Sequence, residues 1–166
     1  MPEGNEEALI QMAKKLGHNK LIFACEKAPL LKTDFPHEII TFKRSQYRFI
    51  AKKAEDLEQG KVAYLTDIEL EEKKDSFHER KSGFNHVYAT LAKKHGTTVC
   101  LNLQLLHRPD REKTMGRMMQ NVRLCKKCGV PVIVASFARN PYQMRSSKDL
   151  QALGRVLGVM NSEKTI

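Results

Sequence analysis

The stretch 136–148 (SFARNPYQMRSSK) concentrates more reactive chemistry than any other part of this chain. It brings Arg139, Arg145 and Lys148 together with Tyr142, Asn140, Ser146 and Ser147, and no acid intervenes before Asp149. Arginine forks match phosphate oxygens bidentately, a tyrosine ring stacks on a base, and hydroxyl and amide groups bond to phosphate and sugar. The stretch follows an apolar run at 132–136, so it falls at the C-terminal end of a predicted strand, where ligands collect in parallel α/β folds. Ser146 or Ser147 opens a helix whose free amides suit a phosphate. A second cationic stretch, 80–86 (RKSGFNH), sets Arg80 and Lys81 before a Ser-Gly turn, with Asn85 and His86 opening a helix. Cations beside a helix N-terminus make an anion site. Arg117 and Arg123 add charge from the helix in between. The expectation is an RNA-binding set of Arg80, Lys81, Asn85, His86, Arg117, Arg123, Arg139, Tyr142, Arg145, Ser146 and Lys148. The plain alternative is a group of ordinary helix caps and solvated charges.

Sets that could break bonds are harder to find. The histidines at 18, 37, 78, 86, 95 and 107 form no HxH and no HExxH. Hydrolases of the polymerase-and-histidinol-phosphatase type need such a pair to hold a metal. Asp67 follows an apolar run and is placed as a catalytic carboxylate would be, but a cap or an ion pair explains it equally. Cys125 and Cys128 form a CxxC without a second pair, so a four-ligand zinc site is not specified. The motif lies at a helix C-terminus, the wrong end for a thioredoxin-like site. Cys125 continues the apolar face of Met115, Met118, Met119 and Val122, which predicts core packing. No glycine-rich phosphate loop and no GxSxG is present. The residues therefore specify no catalytic set and no metal site.

Charge distribution supports a polyanionic partner. The net charge is +10, and residues 101–166 hold 12 basic side chains against 4 acidic ones, while residues 1–100 are close to balance. Such asymmetry points to an anionic surface or RNA and not to a uniformly solvated shell. The chain opens with polar and acidic residues (MPEGNEE), which predicts no signal peptide. No apolar run reaches the roughly 18 residues of a membrane span. Cysteines in apolar runs point to a reducing, cytoplasmic compartment and not to a disulfide framework.

The elements that must hold these residues alternate. Helices are predicted at 5–16 with Asn5 as cap, at 44–58, 84–95, 110–127 and 147–157. Strands are predicted at 20–25, 38–42, 61–68, 97–103 and 132–136. Residues 69–81, with mixed charge and no apolar period, read as an exposed loop. Strands alternating with helices imply βαβ units and a parallel sheet. One α/β domain over 1–160 and a frayed tail at 161–166 follow.

Three blocks then resemble a known family. Lys81–Val87 (KSGFNHV) with LAKKHGTTVCLNL, residues 118–138 (MMQNVRLCKKCGVPVIVASFA) and residues 144–159 (MRSSKDLQALGRVLGV) resemble, in order and spacing, blocks of ribonuclease P protein component 3. The resemblance implies a TIM-barrel-like α/β fold related to the metal-dependent phosphatases but without their metal-binding histidines. It implies a non-catalytic protein subunit of the ribonucleoprotein endonuclease that removes the 5′ leader from precursor tRNA. The implied partners are the RNase P RNA, ribonuclease P protein component 2 and the other RNase P proteins, with precursor tRNA met indirectly. The protein would bind no cofactor, and Mg²⁺ would sit on the RNA. Family members begin with a strand of the DLHV type, whereas this chain opens at a helix. An incomplete or irregular barrel of about five or six strands is the expectation. Two readings of other classes compete. One is a divergent metal-dependent phosphoesterase using Asp67, His86 or His107. The other is an interaction module for an acidic protein.

Overall fold

The computed structural model describes residues 4–25, 33–41, 49–59, 62–70, 75 and 81–159. Six strands form one sheet: β1 (Leu21–Cys25), β2 (His37–Thr41), β3 (Phe49–Ala51), β4 (Val62–Thr66), β5 (Thr98–Asn102) and β6 (Val132–Ala135). Every neighbouring pair is parallel, and the spatial order is the chain order. Right-handed crossovers that never reverse direction leave all connecting helices on one face. That is the winding of a barrel, and it lacks the switch point of a doubly wound sheet. Among the described residues β1 and β6 do not pair, so the arc stays open.

Alternation on the central strands shows where the core sits. Val99 and Leu101 of β5, Leu65 of β4 and Val134 of β6 join the main apolar cluster, while Cys100 and Asn102 fall on the opposite face. Three helices cover the apolar face: α2 (His86–His95), α3 (Arg111–Cys128) and α4 (Ser147–Leu157). Ala89 and Ala92, Met118, Val122 and Cys125, and Leu150 and Leu157 are their buried contributions. Each helix stops at a left-handed glycine, Gly96, Gly129 or Gly158, whose φ of 67–89° only glycine adopts without strain. The N-terminal helix α1 (Glu6–Lys15) belongs to a second cluster. Leu9, Ile10 and Ala13 pack on Phe23 of β1 and on Met144 and Ala138, which follow β6. One helix therefore touches both the first strand and the segment beyond the last.

Several sequence expectations change. Residues 49–58, predicted as part of a helix, lie instead in β3 and in a 3-10 turn at Ala54–Gln59. A register shift between Phe49 and Ile50 accompanies the strand. The part of that helix at 44–48 and the tail at 161–166 lie outside the described residues. Ile68, predicted as the end of a strand, and Glu69 and Leu70, predicted as the start of an exposed loop, form a 3-10 turn with Ile68 and Glu69 buried. Asn5 makes no capping bond to its helix; its Nδ2 donates instead to the Arg139 carbonyl at 3.0 Å. Asp110 likewise makes no side-chain cap.

Candidate nucleic-acid interface

Parallel strands end on one edge, and the chain beyond β4, β5 and β6 is built there from short 3-10 turns: Ile68–Leu70, Leu103–His107 and Pro141–Gln143. Asn102 caps the second turn through Gln104 N–H, and the Gln104 amide donates to the Ser136 carbonyl at 2.9 Å. The turns after β5 and β6 are thereby tied together. Asp67, at the end of β4, accepts from Asn102 Nδ2 at 2.7 Å and pairs with Lys52 at 3.8 Å. Its role is the ion pair and hydrogen bond that the sequence allowed. Among the described residues Asp67 and Phe137 are the non-glycine residues with positive φ, 58° and 46°. Both follow strands on this edge, and such strain persists only where surroundings over-determine the backbone.

The segment 137–146 is held along its length. The Arg139 N–H donates to Gln143 Oε1 at 2.8 Å, and its carbonyl accepts from Asn5. His18 Nε2 bonds the Arg145 carbonyl at 2.9 Å, and Met144 is buried against α1. His18 is thus a buried tether. Asn140 caps the Pro141–Gln143 turn. From this fixed backbone Arg139 and Arg145 are exposed and Tyr142 is 88% exposed. Arg145 Nη1 donates to the Tyr142 and Met144 carbonyls at 3.2 and 3.0 Å, so its guanidinium lies along the turn. Lys148 is exposed on the first turn of α4. Arg139, Tyr142, Arg145 and Lys148 are therefore all exposed along the one segment that follows β6.

The helix N-termini are already occupied. Ser146 Oγ accepts from Asp149 N–H at 3.2 Å and donates to Asp149 Oδ2 at 2.9 Å. This is a capping arrangement, with a carboxylate where a phosphate would otherwise sit. Asn85 Oδ1 accepts from Tyr88 N–H at the start of α2. Ser146 and Asn85 are therefore caps. His86 is exposed and its ring faces Thr90 Oγ1 at 3.3 Å. Lys81 is exposed, while Arg80 lies outside the described residues.

Arg117 requires a correction. It is 3% exposed, and its guanidinium grips Asp75 Oδ1 through Nε at 3.0 Å and Nη2 at 2.6 Å. Its Nη1 donates to the Glu69 carbonyl at 2.6 Å. Helical spacing turns Arg117 inward with Thr114, Met118 and Asn121, so it is an interior strut and no part of a binding surface. Burial pushes the Asp75 carboxyl up, but the Arg117 guanidinium and the Lys81 amide outweigh this and hold it below the ordinary carboxylate range. Arg123 is exposed but sits on the second half of α3, which runs back toward the strands' N-terminal ends, roughly 18 Å along the axis from the first residue of the helix. It does not join the 139–148 surface.

Cys125 is buried in the main cluster, and Cys128 packs against it. Burial pushes the Cys125 thiol up to about 12, so it is a neutral apolar group and not a nucleophile. Among the described residues no group of three or more His, Cys, Asp and Glu side chains is placed to hold a metal ion.

Comparison with known proteins agrees with this architecture. Residues 73–165, more than half of the chain, match the family model described as RNase P subunit p30. Over 76 residues the chain is 37% identical to ribonuclease P protein component 3 of Methanocaldococcus jannaschii, covering 44% of this chain and 33% of that protein. The chain thus spans about a third of the length of this curated relative. A chain in the cryo-EM structure of archaeal ribonuclease P with mature tRNA superposes with a TM-score of 0.64 at 21% identity, over 95% of this chain and 82% of that one. The fold is shared with that chain.

Proposed function

The chain belongs to the RNase P subunit p30 family, and on that premise we propose that it is a protein subunit of ribonuclease P, binding and stabilising the RNA that removes the 5′ leader from precursor tRNA. The carrying observation is the matched span 73–165, which contains the exposed Arg139, Tyr142, Arg145 and Lys148. Three cations and an exposed ring on a pinned backbone suit a phosphate–ribose chain with a stacked base. Lys81 and His86 extend the reading as further exposed residues of the same family block, and Arg123 as a separate contact. The chain's own residues bind and orient RNA, while cleavage belongs to the ribonucleoprotein, with Mg²⁺ held by the RNA. Ribonuclease P protein component 2 and the other protein subunits are the proposed protein partners. The described residues contain no helix long and apolar enough to cross a membrane, and the cytoplasm is the proposed compartment.

Reconstitution tests this. Cleavage of precursor tRNA by RNase P RNA with its other proteins is expected to rise when this chain is added. The chain alone is expected to leave the substrate intact at any Mg²⁺ concentration. Cleavage by the isolated chain that Asp67→Ala abolishes would instead favour the phosphoesterase reading.

A further inference from the structure

Glu69 lies just past β4 and Asn121 lies on the inner face of α3, 1% and 0% exposed. Asn121 Nδ2 donates to Glu69 Oε1 at 2.9 Å and to the Ser82 carbonyl at 3.3 Å. The Ser82 carbonyl fixes the amide's orientation, because the flipped form would aim an oxygen at that acceptor. Two atoms of this pair are left over. Among the described residues Glu69 Oε2 and Asn121 Oδ1 are both buried and find no hydrogen-bond partner. Two orphaned acceptors in one buried pair are costly, since each forfeits its bonds to water. A single proton satisfies both: on Oε2 it makes Glu69 a donor to Asn121 Oδ1.

We infer that Glu69 is a neutral carboxylic acid joined to the Asn121 amide by two reciprocal hydrogen bonds, and that this pair positions the Ser82–Asn85 turn against α3. The second amide hydrogen then holds the Ser82 carbonyl, and Ser82 Oγ donates to the Phe84 carbonyl at 3.3 Å. The turn that leads into α2 thus hangs on an acid–amide pair. The charges around Glu69 pull in opposite directions. Arg117 on α3 favours the ionised form but is hydrogen-bonded to Asp75. Asp67, from the end of β4, repels a second negative charge, and the buried Cys125 thiol supplies no charge. Burial moves the Glu69 carboxyl from 4.5 up to about 7, partly opposed by the bond from Asn121. The inference concerns this chain's interior and does not rest on the RNA reading.

Glu69→Gln and Glu69→Ala separate the possibilities. A glutamine amide reproduces both bonds at every pH, and an alanine makes neither. A carboxyl whose folded value is raised stabilises fully below 4.5, and the effect fades as pH climbs to about 7. Over that window the folding equilibrium constant of the unmodified protein is expected to fall relative to E69Q by about tenfold per pH unit, the slope of one proton. Above it the two curves are expected to run parallel. A protonated-carboxyl infrared band that E69Q lacks should persist at pH 6, where ordinary carboxyls are almost fully ionised. Amide exchange at Ser82–Asn85 should quicken in E69A and stay slow in E69Q. Parallel stability curves throughout, with no carboxyl band, would mean an ionised Glu69 bridged by water and would overturn the inference. An E69Q protein as unstable as E69A would overturn it as well. Equal exchange in both variants would remove the positioning role.

Discussion

Arg117 and Arg123 are six positions apart on α3 and share a side chain but not an environment. Arg123 projects into solvent, whereas Arg117 is clasped by Asp75 and the Glu69 carbonyl. Removing Arg117 leaves the buried Glu69 carbonyl without its donor and the half-buried Asp75 without its ion pair. Arg117→Ala is therefore expected to cost about 1–3 kcal/mol of stability, against less than about 0.5 kcal/mol for Arg123→Ala. Urea denaturation of both variants measures the difference. The pair also has an acid limb. A carboxyl held low in the fold contributes stability that is present above its unfolded value of 3.8 and is lost as pH falls through its lower folded value. Asp75→Asn should flatten the stability curve on that acid side only. Cys125 is a packing residue, so Cys125→Ala should cost roughly 1–2 kcal/mol through the cavity it leaves, with no change in metal content. Stoichiometric zinc in the unmodified protein would contradict this.

At the scale of elements, periodicity carried the reading wherever one face is buried and the caps are local. Helices α2, α3 and α4, and strands β1, β2, β4, β5 and β6, stand within a few residues of where apolar spacing puts them. The short β3 escaped, because three residues cannot show a period of two and their neighbours mimic a helical stripe. The inward face of Arg117, Asn121 and Glu69 escaped for another reason. Polar side chains are assigned to solvent by type, and only tertiary contacts show that these satisfy one another. Arg117 could have been suspected, since it shares a helical face with Met118 and Asn121. Ser146 was legible as a helix start, but the same evidence served both a cap and a phosphate site, and Asp149 decides for the cap. Ser146→Ala is expected to lower stability by about 1 kcal/mol while leaving RNA affinity unchanged. Binding titrations beside thermal melts check both halves of that statement.

Across the whole molecule, the net +10 arises mostly beyond residue 100. Two exposed cations of that region, Arg139 and Arg145, sit on a backbone clamped by Asn5 and His18, which flank α1. A rigid array loses little entropy on meeting a polyanion, so charge there should act as specific contacts and not as a diffuse field. Each phosphate contact releases condensed counterions, and removing one cation should reduce the log–log salt slope of RNA binding by about 0.7 to 0.9. Arg139→Ala with Arg145→Ala should therefore weaken binding and flatten the slope by roughly twice that amount. The melting temperature should hold, because Arg139 is pinned through its backbone and neither side chain is buried. Lys14→Ala with Lys15→Ala removes the same charge from α1, where Lys14 lies over the Phe35 ring at 5.9 Å. That control should leave the slope unchanged. Equal losses from both pairs would mean that only bulk charge matters. A melting temperature that drops with the arginine pair while affinity holds would mean that these side chains brace the turn and do not bind RNA.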